Sequence, residues 1–171
     1  MTETIANAPS PGADASPSPM QRAYFSHMSL PVRDREEAVR FFVNVLGGEV
    51  VLDLPAFSEV RLAGTIIGLS QQKGGWTAPD AEYPHYTLRV DPENLLPLKE
   101  RLESYGVPTS DVYTRNGTDA AIYYRDPAGN LWELNCERGY KGSARQTPSA
   151  GGDYVPDVKS LCYDHWNDQG R

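Results

Sequence analysis

Phe-Ser-His-Met-Ser-Leu-Pro-Val-Arg-Asp-Arg-Glu-Glu-Ala-Val-Arg-Phe-Phe-Val-Asn-Val-Leu-Gly, residues 25–47, carries a strand straight into a helix. From Phe25 to Val32 the side chains alternate. Met28, Leu30 and Val32 fall on one face and Phe25, His27 and Ser29 on the other, the period of two of a half-covered strand. Asp34 then offers an acceptor to the first helical turn, and Glu37 completes the spacing of a capping box. Ala38, Phe41, Phe42, Val45 and Leu46 line one helical face, and Gly47 supplies the left-handed residue that stops it.

Outward from that stretch, Gly48–Leu54, Glu59–Leu62 and Thr65–Gln71 read as strands, with Gly64 at a tight turn. The same order then restarts. Tyr83–Val90 is a strand with Pro84 at its start, where proline is tolerated. Asp91 caps a helix with Pro92 at its first position and Gly106 past its end, and Pro97 inside it predicts a kink. Strands follow near Pro108–Thr114, at Ala120–Arg125 and at Leu131–Cys136. His85 follows His27 by about 58 residues, and Val32 and Val90 end equivalent strands, so the chain reads as a duplicated unit. The fold class is α+β: paired βαβββ modules forming a curled eight-stranded mixed sheet, with helices on the outer faces and the inner faces around a shared cleft.

The modules span about residues 24–72 and 83–138 of a domain at 22–138. Residues 1–21, rich in Pro, Ser, Ala and Gly, lack the apolar surface to offset the entropy of ordering and are expected to form a disordered arm. Residues 139–171 form a tail whose stretch Val158–Trp166 has the apolar groups to dock in part. No stretch has the roughly 20 apolar residues of a membrane span, and the N-terminus lacks a secretory layout, so a cytoplasmic protein is expected. A net charge of −7 with scattered Lys and Arg argues against nucleic acid and for a small-molecule partner. Cys136 and Cys162 fit reduced thiols, since they match neither a zinc spacing nor a disulfide framework.

Two of the three histidines occupy the first strands of the two repeats, with the same parity. His27 shares its face with Phe25 and Ser29, and His85 shares its face with Tyr83, Thr87 and Arg89, both opposite the helix-facing side chains. Glu133, between Trp132 and Leu134 on the last strand, is a carboxylate costly to bury unless paired or bound to a cation. Either histidine alone reads as a hydrogen-bonded core residue; the symmetric pair with the glutamate forms the facial set of two imidazoles and one carboxylate that leaves open positions on a divalent ion. His165, among Asp164 and Asp168, reads as a solvated surface residue.

The run His27-Met-Ser-Leu-Pro-Val-Arg-Asp, the helix end Leu46-Gly47-Gly48, Pro84-His85-Tyr86 and Ile122-Tyr-Tyr-Arg-Asp-Pro-Ala-Gly-Asn-Leu-Trp-Glu133 resemble the vicinal oxygen chelate superfamily of glyoxalases, fosfomycin-resistance proteins and extradiol dioxygenases. The resemblance implies the paired βαβββ fold, a homodimer and one metal ion on His27, His85 and Glu133. Gly68 stands where the isomerases of that superfamily carry a fourth ligand, and the dioxygenases and thiol transferases use three. Ser29 and Tyr123 match hydroxyl residues that hold substrate. The position of the fosfomycin enzymes' lysine falls near Tyr113, their potassium loop is replaced by Asn116-Gly117-Thr118-Asp119, and the dioxygenases' extra histidine is replaced within Thr114-Arg115-Asn116. The implied function is a dioxygenase-like enzyme with Fe(II) and O2, in which Tyr123 and Ser29 donate to the substrate. The alternatives are a fosfomycin-type thiol transferase using Mn(II) and a metal-free drug-binding protein. Arg89, Arg115, Tyr83 and Arg61 are the expected substrate contacts.

Overall fold

The computed structural model describes residues 26–73, 78–147 and 157–168. The expected disordered arm and residues 148–156 lie outside the described residues, as does Phe25 at the head of the first strand. Strand β1 (His27–Val32) runs into helix α1 (Arg35–Arg40), whose Asp34 cap accepts a hydrogen bond from the Glu37 amide at 3.0 Å. The helix does not stay α to its end. Phe41–Val45 form a π-helical turn that carries Phe41, Phe42 and Val45 inward before Gly47, at φ +76°, turns the chain. Strands β2 (Glu49–Leu54), β3 (Phe57–Leu62) and β4 (Thr65–Gln71) complete a sheet ordered β1-β4-β3-β2, in which β1 and β4 are parallel.

The second module repeats the plan with β5 (His85–Arg89), α2 (Leu95–Ser104), β6 (Tyr113–Thr114), β7 (Ala120–Arg125) and β8 (Leu131–Cys136). A further strand, β9 (Arg145–Gln146), pairs parallel with β6 and gives the order β5-β8-β7-β6-β9. Among the described residues the eight expected strands are thus present, with a ninth, in two mixed sheets of four and five. Helix α2 begins at Leu95, later than the sequence suggests, because Asp91–Asn94 first make a turn closed by Asn94 N–H to Asp91 C=O. Pro97 consequently lies in the first turn, where a missing N–H has no helical acceptor to lose, so it causes no break. The stretch expected as strand near Pro108 is strand only at Tyr113–Thr114, with an isolated bridge at Thr109.

One core joins the modules through their helix-facing sides. Leu30, Val32, Phe41, Phe42, Val60, Ile67 and Leu69 from the first meet Leu95, Leu102, Ile122, Tyr124, Trp132 and Leu134 from the second. Phe42 packs edge-to-face on Trp132 at 5.6 Å, and Arg101 donates to the carbonyls of Asn44 and Val45 at 2.6 Å. Burying each such aromatic or aliphatic side chain contributes roughly 1.5–3 kcal/mol. The opposite, open faces of the two sheets are left for function. Among the described residues no helix is long and apolar enough to cross a membrane.

Candidate metal centre

The open face of the second sheet is read across its register. Thr87 pairs with Glu133, and Glu133 with Tyr123; in the next row His85 pairs with Leu131, and Leu131 with Arg125. His85 Nε2 lies 3.4 Å from Glu133 Oε2, and the Glu133 side chain is 4% exposed. Its burial is compensated by donors from three elements. Thr87 Oγ1 donates to Oε2 at 2.9 Å, while Asn135 Nδ2 at 2.9 Å and Arg115 at 3.3 Å donate to Oε1. The His85 ring is held between Tyr83, tilted at 5.2 Å, and Tyr123, edge-on at 6.0 Å, and its Nδ1 lies 3.3 Å from the Glu82 carbonyl.

The donor chemistry suits a divalent ion. An imidazole nitrogen and a carboxylate oxygen that bind one ion at about 2.1 Å in neighbouring positions sit roughly 3 Å apart, close to the separation seen between His85 and Glu133. A carbonyl at Nδ1 directs the other ring nitrogen toward the carboxylate, which is how ligand histidines are commonly oriented.

The third expected member stands elsewhere. His27 is exposed on β1, opposite Ile66 of the first sheet, with its Nδ1 2.9 Å from Ser26 Oγ. Among the described residues no three His, Cys, Asp or Glu side chains gather as a metal requires. The expectation that one chain aims both imidazoles into one cleft is therefore corrected. The modules share a core on their helix sides, so their open faces belong to separate sheets. Ser29 and Arg61 lie with His27 on the first open face, where Arg61 pairs with Glu49 at 2.9 Å. Arg89 is exposed and paired with Glu137. Of the expected substrate contacts, only Tyr83, Arg115 and Tyr123 adjoin the His85–Glu133 pair.

Gly68 pairs with Ser29, and a Cβ built on it would lie 2.8 Å from Ser29 Oγ and 3.0 Å from the Phe57 ring. The position of a fourth ligand is filled by neighbours. The loop Asn116–Asp119 is closed on itself. The Asp119 carboxylate accepts from the Arg115 and Asn116 amides and from Thr114 Oγ1, and against the upward pull of burial these bonds hold its pKa below the usual range. Two features escape the sequence reading: Thr87 and Asn135 as holders of the carboxylate, visible only as strand parity, and the seat on this face of the tail expected to dock.

That tail forms a 3-10 turn, Val158–Leu161, capped by Asp157. Val158 and Leu161 pack on Ala121, Tyr123 and Leu131. The wholly buried Arg125 donates to the carbonyls of Val158, Gly129, Pro79 and Ala81, tying the tail to the segment between the modules. Farther on, Trp166 packs edge-to-face on Phe41 at 5.5 Å and donates to Glu37 at 3.1 Å.

Residues 24–134 match the model of the Glyoxalase/Bleomycin resistance protein/Dioxygenase superfamily. The chain is 26% identical over 137 residues to a glutathione transferase FosA of Serratia marcescens, covering 77% of this chain and 95% of that protein. Its fold is similar to that of the fosfomycin resistance protein FosX of Listeria monocytogenes, with a TM-score of 0.59, 23% identity, and coverage of 66% of this chain and 90% of the other. It is also similar to a lactoylglutathione lyase of Agrobacterium tumefaciens, with a TM-score of 0.56, 24% identity, and coverage of 67% and 94%.

Proposed function

Since this chain belongs to the Glyoxalase/Bleomycin resistance protein/Dioxygenase superfamily, we propose that it is a metal-dependent enzyme of the fosfomycin-resistance type, adding a thiol or water to a small, anionic, oxygen-rich substrate. The observation that carries the reading is the His85–Glu133 pair at 3.4 Å, its carboxylate buried and its imidazole partly exposed, with Arg115 beside the carboxylate. The FosA relative, matched over nearly its whole length, favours this reading over the dioxygenase that the ligand types alone suggest. The expected ion moves from Fe(II) to Mn(II), the ion in a FosX crystal structure that also holds sulfate.

His85 and Glu133 would hold the ion, with His27 of a second copy as the third ligand. Supporting that arrangement, His27 is exposed on an open sheet face, and all six residues of β2 at the edge of the same sheet are exposed, Val50 at 40% and Leu54 at 49%. Apolar side chains on an exposed edge strand call for a covering surface. A two-fold dimer that lays the first open face of one copy beside the part of the second open face that the tail leaves clear would cover the exposed strand and bring His27 to His85 and Glu133 twice over. A bound divalent ion supplies Lewis acidity to a substrate oxygen. Thr87 and Asn135 keep the carboxylate oriented, Arg115 places positive charge beside a phosphonate or similar anion, and Tyr83 and Tyr123 fix the His85 ring. In the addition to an epoxide, the nucleophile bonds to one ring carbon as that C–O bond breaks, and the proton it releases ends on the freed oxygen.

The test is Mn(II) binding followed by electron paramagnetic resonance, then mass spectrometry of fosfomycin incubated with the Mn(II)-loaded protein and glutathione, or with water alone. Stoichiometric Mn(II) with an adduct or a diol supports the reading. Mn(II) bound with fosfomycin unchanged in both incubations rejects the fosfomycin substrate, and absence of Mn(II) binding rejects the enzyme.

A further inference from the structure

The second open face has a floor that this chain covers with its own C-terminal segment, which lies beyond the family-matched residues 24–134. Leu131 and Tyr123 are register neighbours of the candidate ligands, Leu131 pairing with His85 and Tyr123 with Glu133, and Ala121 pairs with Asn135, which holds the Glu133 carboxylate. They are buried because Val158 and Leu161 pack on them. The segment is fastened at both ends. At its start Arg125 holds the Val158 carbonyl, and at its far end Trp166 is wedged among Phe41, Tyr105 and Glu37, with the Asn167 amide donating to the Tyr105 carbonyl at 2.7 Å. Tyr163 Oη donates to the Arg125 carbonyl at 3.0 Å between these anchors. A strap tied this way has little freedom to swing, and the side chains it lays on this face, Val158 and Leu161, are apolar.

From this we infer that Val158 and Leu161 are specificity-determining residues: they form a fixed apolar wall of the His85–Glu133 site and limit it to substrates whose groups facing that wall are small. The inference rests on the metal-site reading for its substrate class. The wall itself is a matter of packing and is tested separately. Apolar residues set the size limit because a bulkier substrate group would have to displace well-packed side chains, while a smaller one leaves that contact intact.

The experiment uses the full chain with Leu161→Ala and the double variant Val158→Ala/Leu161→Ala, each checked for an unchanged near-ultraviolet circular dichroism spectrum. First, Ala121→Cys is introduced in a Cys162→Ser background, and labelling by N-ethylmaleimide is timed with and without the two wall substitutions. At least tenfold faster labelling of the introduced thiol on trimming is expected, and equal rates overturn the wall whether or not a metal binds. Second, Mn(II)-loaded protein is titrated with methylphosphonate and phenylphosphonate. The unmodified wall is expected to favour the methyl compound at least tenfold, and the double variant to lose most of that preference with Mn(II) affinity unchanged. The same size preference in both proteins overturns the specificity role. If Mn(II) fails to bind while the labelling rates differ, the metal-site reading and the specificity role fall and the wall stands.

Discussion

The two modules share one plan and differ in how their open faces are finished. On the second sheet every residue of β7 and β8 is buried, with the tail against Ala121, Tyr123 and Leu131 and with β9 extending the edge. On the first sheet all of β2 is exposed, and His27 and Ser29 stand in the open. Duplication therefore does not produce equivalent halves. One half carries a buried carboxylate with a half-buried imidazole beside it and its own cover, and the other offers a histidine and apolar surface to something outside the chain.

The largest expected effect tests the assignment of roles to the two halves. His85→Ala and Glu133→Gln should each lower Mn(II) affinity at least 100-fold, and His27→Ala should do the same although it lies on the other sheet. Mixing His27→Ala with His85→Ala chains after unfolding and refolding should restore about a quarter of the sites, because half the dimers are mixed and each mixed dimer has one intact set. If electron paramagnetic resonance detects no recovery, the two halves do not complete each other.

Trp166→Ala asks whether the tail is held as firmly as its contacts suggest. The side chain contacts Phe41 and Tyr105 and donates to Glu37, so its removal should cost about 3–4 kcal/mol, read as a lower denaturant midpoint. A loss below about 1 kcal/mol, the level of ordinary surface changes, would make the second module's cover an accessory rather than a part of the fold.

Asp126 supplies a pH-dependent contrast, since it lies at the β7–β8 turn of the covered module. Burial pushes its pKa up to about 6, even though the Ala128 and Asn130 amides, Asn130 Nδ2 and Trp132 Nε1 all donate to it. A carboxyl with a folded pKa above its unfolded value of about 3.9 stabilises the fold most at low pH and loses that contribution as the pH rises from the unfolded value through the folded one. The stability of the protein relative to Asp126→Asn should thus fall by about 2–3 kcal/mol between about pH 4 and pH 6.5, measured by denaturant titration. A flat difference would show that the donors fully offset burial.

Much of this asymmetry is illegible in the sequence for a physical reason. Strand parity and caps are local, so both βαβββ modules and the shared face of His85 and Glu133 could be read from spacing. The capping pair Asp34 and Glu37 shows the limit of such reading: the Asp34 side chain caps the helix as expected, while the Glu37 carboxylate accepts from Trp166, 129 residues away. The separation of His27 from His85 depends on which sheet faces meet in the core, a long-range outcome that hydrophobic alternation leaves open. Parity put His27 on an open face correctly but could not say whose cleft that face lines. The tail's short apolar run signalled docking without naming its seat.

The smallest effect concerns a pair of equivalent positions at which the two faces differ. In the second sheet the register partner of Thr87 is Glu133, whereas in the first sheet the partner of Ser29 is Gly68. A carboxylate at 68 would make the first face a ligand-bearing face too, and the backbone there has no room for it: the first added carbon already meets Ser29 Oγ at 2.8 Å and the Phe57 ring at 3.0 Å. Both are ends of side chains rather than backbone, so Gly68→Ala should be accommodated by a hydroxyl rotation and a slight ring shift. The expected cost is about 1 kcal/mol, as for mild overpacking, with Mn(II) affinity within twofold of the unmodified protein. A tenfold change in affinity at so small a structural cost would place residue 68 close to the ion, and would mean that the first face contributes more to the centre than His27.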